Sequence, residues 1–160
     1  TGAAPWYSFK LQDIVSRRPL SPYIYTVDTL VISTPDREYV FDIEGDASSN
    51  TFTLDGQELN GDKFRQLYQQ LISPVGDELF LSEGEYEPYI KVTFNYRDEY
   101  HEVYDADHDT LEFFKSDEND RKNIVAVNGK VIFKVVQVYT ERMLYNIDAL
   151  INGGDIVLNW

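Results

Sequence analysis

The residues whose types and spacing most resemble a chemical site are the alternating aspartates Asp105, Asp107 and Asp109. Carboxylate oxygens at alternate positions of a loop suit a hard cation such as Ca²⁺. A helix–loop–helix calcium loop also needs glycine at its sixth position and glutamate at its twelfth, where this chain has Thr110 and Ser116. The pattern therefore favours a solvated acidic turn, and a calcium site at the three aspartates is the alternative.

Other catalytic patterns are missing from the sequence. Its two histidines, His101 and His108, have a spacing that matches no zinc motif on one helix face. It has no cysteine, no Gly-x-Ser-x-Gly segment and no Ser-x-x-Lys segment, so the common forms of nucleophilic catalysis have no candidate residue. We therefore predict a protein that is not an enzyme and that uses no cofactor.

The charge of the chain excludes some classes of partner. The 160 residues include 28 acidic and 14 basic side chains, which give a formal net charge of −14. Phosphate groups are bound by Lys and Arg, so this charge argues against nucleic acid and against anionic lipid. No apolar stretch approaches the ~20 residues that span a bilayer, so we expect no direct membrane insertion by this chain.

Two features favour an interaction surface instead. The segment 98–120 holds ten carboxylates and one base, a net charge of −9 that would steer a basic partner toward it. Aromatic side chains cluster in the first 26 residues, where they could grip a protein or stack on a sugar. The candidate partner-binding residues are Trp6, Tyr7, Tyr23, Tyr25, Asp105, Asp107, Asp109, Asp117 and Glu118.

Hydrophobic periodicity predicts the elements that position these residues. Residues 1–26 are expected to be an irregular lead-in with a short helix over 9–15. Strands are predicted at 27–33, 37–44, 51–54, 57–59, 79–81, 89–97, 100–104, 111–114, 124–127 and 130–135. Helices are predicted at 62–73 and 138–151, packing on the sheets through Phe64, Leu67, Leu71, Met143, Leu144 and Ile147.

These elements predict one α+β domain over residues 27–160, built from antiparallel sheets and two amphipathic helices. Asp55-Gly56 and Asn128-Gly129 are each typical of a tight hairpin turn between two strands, and a helix follows each hairpin. The repeated order suggests a duplication with half-repeats at 27–75 and 76–152. The alternative is that two copies of a common unit arose independently.

The chain from about residue 27 to residue 156 resembles the bacterial family described as domain of unknown function 4340. The resemblance is carried by the run Val27 to Ile32 before a Pro-Asp turn, by residues 52–71, 90–96 and 125–133, and by the closing helix with Gly153-Gly154. It implies a membrane-anchored parent whose soluble part lies outside the cytoplasm, often beside ABC-type transport or gliding-motility components. The family supplies no catalytic residues.

Together these observations predict a non-enzymatic, extracytoplasmic interaction or scaffold domain of a membrane-associated assembly. The resemblance implies a membrane tether, which is expected in a part of the parent protein that this sequence does not include. The chain begins at Thr1 without a starting methionine, which suggests an excised or processed fragment. The alternative is a module that binds carbohydrate or cell-wall fragments through exposed tyrosine and tryptophan.

Overall fold

The structure is a computed structural model that describes residue 20 and residues 22–74, 76–84, 86–116 and 121–158. Its strands are β1 (Val27–Ser33), β2 (Glu38–Gly45), β3 (Asn50–Leu54), β4 (Gln57–Glu58), β5 (Glu78–Ser82), β6 (Ile90–Tyr96), β7 (His108–Lys115), β8 (Lys122–Val127) and β9 (Lys130–Val136). Its α-helices are α1 (Gly61–Leu71), α2 (His101–Tyr104) and α3 (Gln137–Asn152). The short helix expected over 9–15 lies outside the described residues.

All of these strands belong to one antiparallel sheet, in the order β4-β3-β2-β1-β6-β7-β8-β9-β5. Strands hold 42% and helices 28% of the described residues, so the fold is largely a sheet. The prediction of a balanced α+β domain with several sheets was therefore wrong. The physical reason is the pairing of β1 with β6, where Leu30 lies opposite Phe94: joining these two strands satisfies both backbone edges and fuses the halves into one sheet.

The structure confirms both of the predicted tight hairpin turns. Asp55 and Gly56 have φ angles of 53° and 75°, and Asn128 and Gly129 have φ angles of 48° and 73°. Positive φ at both central residues is the geometry that matches the twist of adjacent antiparallel strands, and Asn-Gly and Asp-Gly adopt it readily. These turns join β3 to β4 and β8 to β9.

Strand order gives the sheet an internal symmetry. Four strands in succession, β1 to β4, lead into α1, and four others, β6 to β9, lead into α3. The two sets meet at the β1–β6 pair and extend from it in opposite directions, while β5 adds to the outer edge of β9. This arrangement is the one that a duplication would produce, although the duplication itself stays a prediction.

Helix α1 starts and packs as its sequence predicts. The side chain of Asn60 accepts a hydrogen bond from the backbone N–H of Lys63 at 3.0 Å, which caps the first turn. The apolar stripe of the helix is buried, with Phe64, Leu67 and Leu71 each at most 1% exposed. The ring of Phe64 stacks on that of Phe52 in β3, with ring centroids 4.3 Å apart.

Helix α3 covers the other half of the same sheet face. Met143 and Ile147 are buried in the core shared with α1, and Leu144 packs against that core while partly exposed. The helix ends at Gly153, whose φ of 75° is left-handed. The Lys63 ammonium donates to the carbonyl oxygen of Gly153 at 3.0 Å and to that of Gly154 at 2.6 Å, so α1 stabilises the C-terminal end of α3.

The described residues cover the opposite face of the sheet over one half only. Phe80 lies in the edge strand β5, and Tyr86 lies between β5 and the central strand β6 along the chain. They pack against a second small cluster formed by Phe114, Ile124, Ala126 and Val131. Over β1, β2 and β6 this face carries partly exposed side chains, as the alternating burial of those strands shows.

The prediction of a strand over residues 100–104 was wrong. A 3₁₀ turn spans Asp98–Tyr100, and α2 follows it directly. The ring of Tyr104 stacks on the buried Tyr96, with centroids 4.2 Å apart, so this tertiary contact overrides the strand preference of an aromatic-rich segment. Strand β7 then begins at His108, earlier than the predicted 111, because Asn95 and His108 already pair across the sheet.

Candidate functional site

The acidic segment forms a compact projection at one end of the sheet, which we name the acidic turn (residues 98–107). Two hydrogen bonds attach it to the sheet. The ring nitrogen Nε2 of His101 lies 2.9 Å from the carbonyl oxygen of Tyr96 in β6, and the hydroxyl of Tyr104 lies 3.2 Å from that of Thr26, just before β1. Its acidic side chains point to solvent. The exposed acids are Asp98, Glu99, Glu102, Asp105 and Asp107.

The structure does not bring the three candidate calcium ligands together. Asp105 is exposed in a left-handed conformation at the end of α2. Asp107 Oδ1 lies 2.6 Å from Nδ1 of His108, and this hydrogen bond, with the charge of His108, lowers the pKa of the Asp107 carboxyl. Across the described residues, no group of three or more His, Cys, Asp or Glu side chains is arranged to hold a metal ion.

Asp109 lies outside the acidic turn and has a structural role in the sheet. It lies in β7, where its carboxylate accepts hydrogen bonds from the hydroxyl of Tyr96 and from Nδ2 of Asn128, the latter at 2.8 Å. Burial raises the pKa of Tyr96, and the hydrogen bond to Asp109 raises it further. The hydroxyl of Tyr96 therefore stays protonated and donates to the carboxylate across the physiological range.

The described tyrosines of the lead-in contact the acidic turn. Tyr23 and Tyr25 lie at a 3₁₀ turn just before β1, with their rings stacked and centroids 5.6 Å apart. Tyr25 also meets Tyr100 of the acidic turn edge to face, with centroids 6.2 Å apart. Tyr23 is 65% exposed and Val103, on α2, is 71% exposed. We name the tyrosines 23, 25 and 100, Val103 and the exposed acids of the acidic turn the tyrosine–acid surface.

The structure does not describe four of the candidate partner-binding residues. Trp6, Tyr7, Asp117 and Glu118 lie outside the described residues. Tyr23, Tyr25, Asp105 and Asp107 belong to one surface, whereas Asp109 is held by neighbouring side chains within the sheet.

A cleft of about 390 Å³ opens beside Tyr25 and Tyr100, and we name it the tyrosine cleft. The loop between β2 and β3 and the side chains of Arg97 and Glu99 complete its lining. Gly45, the last residue of β2, leads into that loop with a φ of 99°, and a Cβ at this position would lie 2.0 Å from the carbonyl oxygen of Ser49. Glycine is therefore required for the chain to turn closely enough to form this wall.

Polar groups of the tyrosine cleft are held in place by local hydrogen bonds. Oδ1 of Asp46 accepts from the backbone N–H of Ser48 at 2.8 Å, from its hydroxyl at 2.6 Å and from the N–H of Ser49 at 3.1 Å. These bonds lower the pKa of the Asp46 carboxyl, so it is ionised. Arg97 donates from Nη2 to the carbonyl oxygen of Ile43 at 2.7 Å and from Nε to that of Val27 at 3.4 Å.

Sequence reasoning missed the polar residues of this cleft. Residues 45–50 fall between the strands predicted at 37–44 and 51–54, although an aspartate followed two residues later by serine is the signature of a side-chain-stabilised turn. Tyr100 was assigned to a strand, and Arg97 to the end of another. No local pattern brings these residues together, because Tyr25, residues 45–50 and residues 97–100 belong to three separate segments.

The described residues line two other clefts, of about 540 Å³ and 430 Å³. The larger one lies between residues 33–35 and 87–91. Its lysines are already engaged: Nζ of Lys91 lies 3.2 Å from Glu112, and Nζ of Lys115 lies 5.3 Å from the centre of the Tyr89 ring. The smaller one lies against the apolar cover of the sheet, between Tyr86 and Phe114. These contacts make the tyrosine cleft the better candidate site.

Comparison with known proteins adds no relative: the chain matches no protein-family model, no curated protein and no solved structure. The resemblance to the family of domain of unknown function 4340 therefore stays a prediction. Within the described chain, no helix combines the length and the apolar composition needed to cross a bilayer.

Proposed function

We propose that this chain is a non-enzymatic interaction domain that binds a protein partner through the tyrosine–acid surface. One observation carries the proposal: the contact of Tyr25 with Tyr100 joins the lead-in tyrosines and the acidic turn into a single continuous surface. The two features were separate in the sequence, and each alone has a simpler explanation as a cover for the sheet or as a solvated face.

The aromatic part of this surface has the composition of an interface centre. Tyrosine is enriched in protein interfaces because its ring buries a large apolar area while its hydroxyl keeps a hydrogen-bond partner. Tyr23 at 65% and Val103 at 71% exposure present apolar area to solvent that a partner would cover. The stacking of Tyr23 on Tyr25 holds both rings in one orientation, which lowers the entropy lost on binding.

The acidic part of this surface favours a partner that presents basic side chains. Carboxylates grouped on one projection create a local negative field that speeds the approach of a positive surface and slows that of a negative one. The exposed acids lie on both sides of Tyr100 and Val103 along the chain, and charged side chains are typical of the polar rim around the apolar centre of an interface.

The cellular setting of the proposal rests on the family resemblance. A parent of that kind is tethered to the cell membrane and carries this domain outside the cytoplasm, in an assembly with ABC-type transport or gliding-motility components. The net charge of −14 is consistent with a domain held away from an anionic membrane surface.

Site-specific photo-cross-linking in cells that express the full-length parent tests this proposal. We expect a p-benzoyl-phenylalanine in place of Tyr23 to cross-link to one discrete protein. The matched control is the same residue in place of Tyr145, which is 56% exposed on α3 and lies outside the tyrosine–acid surface. Equal cross-linking to that protein from both positions, or discrete cross-linking from position 145 alone, would contradict the proposal.

A further inference from the structure

The tyrosine cleft has the size and the aromatic wall of a small-molecule site. Its volume of about 390 Å³ falls within the ~300–1,000 Å³ typical of ligand pockets. The rings of Tyr25 and Tyr100 line it, and Tyr23 extends the aromatic wall by stacking on Tyr25. Such rings offer flat apolar faces to a ligand that has C–H groups on one side.

The polar wall offers both a fixed donor and fixed acceptors. Arg97 is anchored through Nε and Nη2 to two backbone carbonyl oxygens, while its Nη1 group makes no hydrogen bond with the described residues. Asp46 uses Oδ1 for its own loop, and its Oδ2 accepts no hydrogen bond from the described residues. The Glu99 carboxylate adds a second acceptor on the same rim.

This mixture of charges decides the class of ligand. The Arg97 guanidinium repels a cationic group, and the carboxylates of Asp46 and Glu99 repel an anion in a chain that already carries −14. A neutral ligand with several hydroxyl groups avoids both repulsions, because a hydroxyl donates to a carboxylate and accepts from a guanidinium. A sugar ring presents hydroxyl groups at its edge and C–H groups on its face.

We propose that the tyrosine cleft binds a neutral saccharide, with a sugar ring against Tyr25 and Tyr100 and its hydroxyl groups on Asp46, Glu99 and Arg97. This site shares Tyr25, Tyr100 and Glu99 with the tyrosine–acid surface, whereas Tyr23, Val103 and the other exposed acids of that surface lie outside its lining.

The test is a titration of the ¹⁵N-labelled chain, followed by NMR, with five probes. Three are neutral tetrasaccharides: cellotetraose, tetra-N-acetylchitotetraose and maltotetraose. The other two are charged: tetragalacturonic acid and a hexa-arginine peptide. We expect at least one neutral tetrasaccharide to shift the amides of residues 45–48 and 97–100 in a saturable way, with a dissociation constant of about 1 mM or tighter.

Variants then separate the ring contacts from general folding. Tyr100→Ala and Tyr25→Ala should each weaken saccharide binding about tenfold, since each removes one stacking face. Tyr100→Phe keeps the ring and should bind within about threefold of the unmodified chain, as should Tyr145→Ala, which removes an exposed tyrosine elsewhere. The amide spectrum of each variant reports whether the fold is intact.

Three results would overturn this inference. The first is the absence of a saturable shift with all three neutral tetrasaccharides. The second is a shift of the cleft amides by hexa-arginine alone, which would make the cleft a receptor for a basic side chain of the protein partner. The third is a shift by tetragalacturonic acid alone, which would make it an anion site. None of these results changes the cross-linking expected at position 23, so the two proposals fail independently.

Discussion

Phe64→Ala is expected to lower the free energy of unfolding by about 3–5 kcal/mol, the range measured for truncating a fully buried phenylalanine. Phe64 is 0% exposed, stacks on Phe52 and meets Phe41 edge to face with centroids 5.5 Å apart. Its removal leaves a cavity between α1 and the sheet that these large rings cannot close. Because small domains are stable by only about 5–15 kcal/mol in total, this loss is a large fraction of the stability.

Urea denaturation followed by circular dichroism measures this effect, as a shift of the midpoint at constant slope. The matched control is Gln66→Ala on the exposed side of the same helix, which should change the free energy of unfolding by less than about 0.5 kcal/mol. A loss below about 1 kcal/mol for Phe64→Ala would mean that α1 does not pack on the sheet through this residue.

Neutralising the acidic turn should slow association with the protein partner about tenfold or more at low ionic strength, the lower end of known electrostatic steering. Four exposed acids are changed together: Asp98→Asn, Glu102→Gln, Asp105→Asn and Asp107→Asn. Asparagine is suited to position 105, because it tolerates the left-handed conformation found there. Asp109 is left unchanged, since its carboxylate is bound to Tyr96 and Asn128.

Stopped-flow association rates at several salt concentrations measure the steering. The rate for the unmodified chain should fall steeply as the screening length drops to roughly 8–10 Å near physiological salt, and the rate for the variant should not. A control with the same change in net charge uses exposed acids outside the acidic turn: Asp36→Asn, Glu87→Gln, Glu141→Gln and Asp148→Asn. If both variants associate at the same rate, the acidic turn is only a solvated face.

Local patterns predicted the elements that depend on neighbouring residues. The period of α1 and the Asp-Gly and Asn-Gly turns are of this kind, since a helix face or a hairpin turn is specified within a few residues. The pairing of β1 with β6 is not, because it joins residues 58 to 69 positions apart and has no local signal. That one long-range pair turns the expected separate sheets into a single one.

The candidate site was predictable only in part. Tyr23 and Tyr25 were singled out because aromatic residues cluster in the lead-in, and Asp105 and Asp107 for their charge, but nothing in the sequence placed the two groups side by side. The prediction of a strand over 100–104 also hid the role of Tyr100. Its ring reaches Tyr25 because residues 98–104 form helical turns held by the stacking of Tyr104 on Tyr96.

Hydrogen–deuterium exchange of the chain with and without its protein partner tests the central claim most directly, since it reports the contact surface without any substitution. The partner is the protein recovered from membrane extracts on the unmodified chain. We expect protection of backbone amides to concentrate in residues 22–26 and 97–107, with little change in α3 or in residues 76–89. Protection confined to α3, or to the strands β1 and β2 away from the acidic turn, would contradict the assignment of the tyrosine–acid surface as the interface.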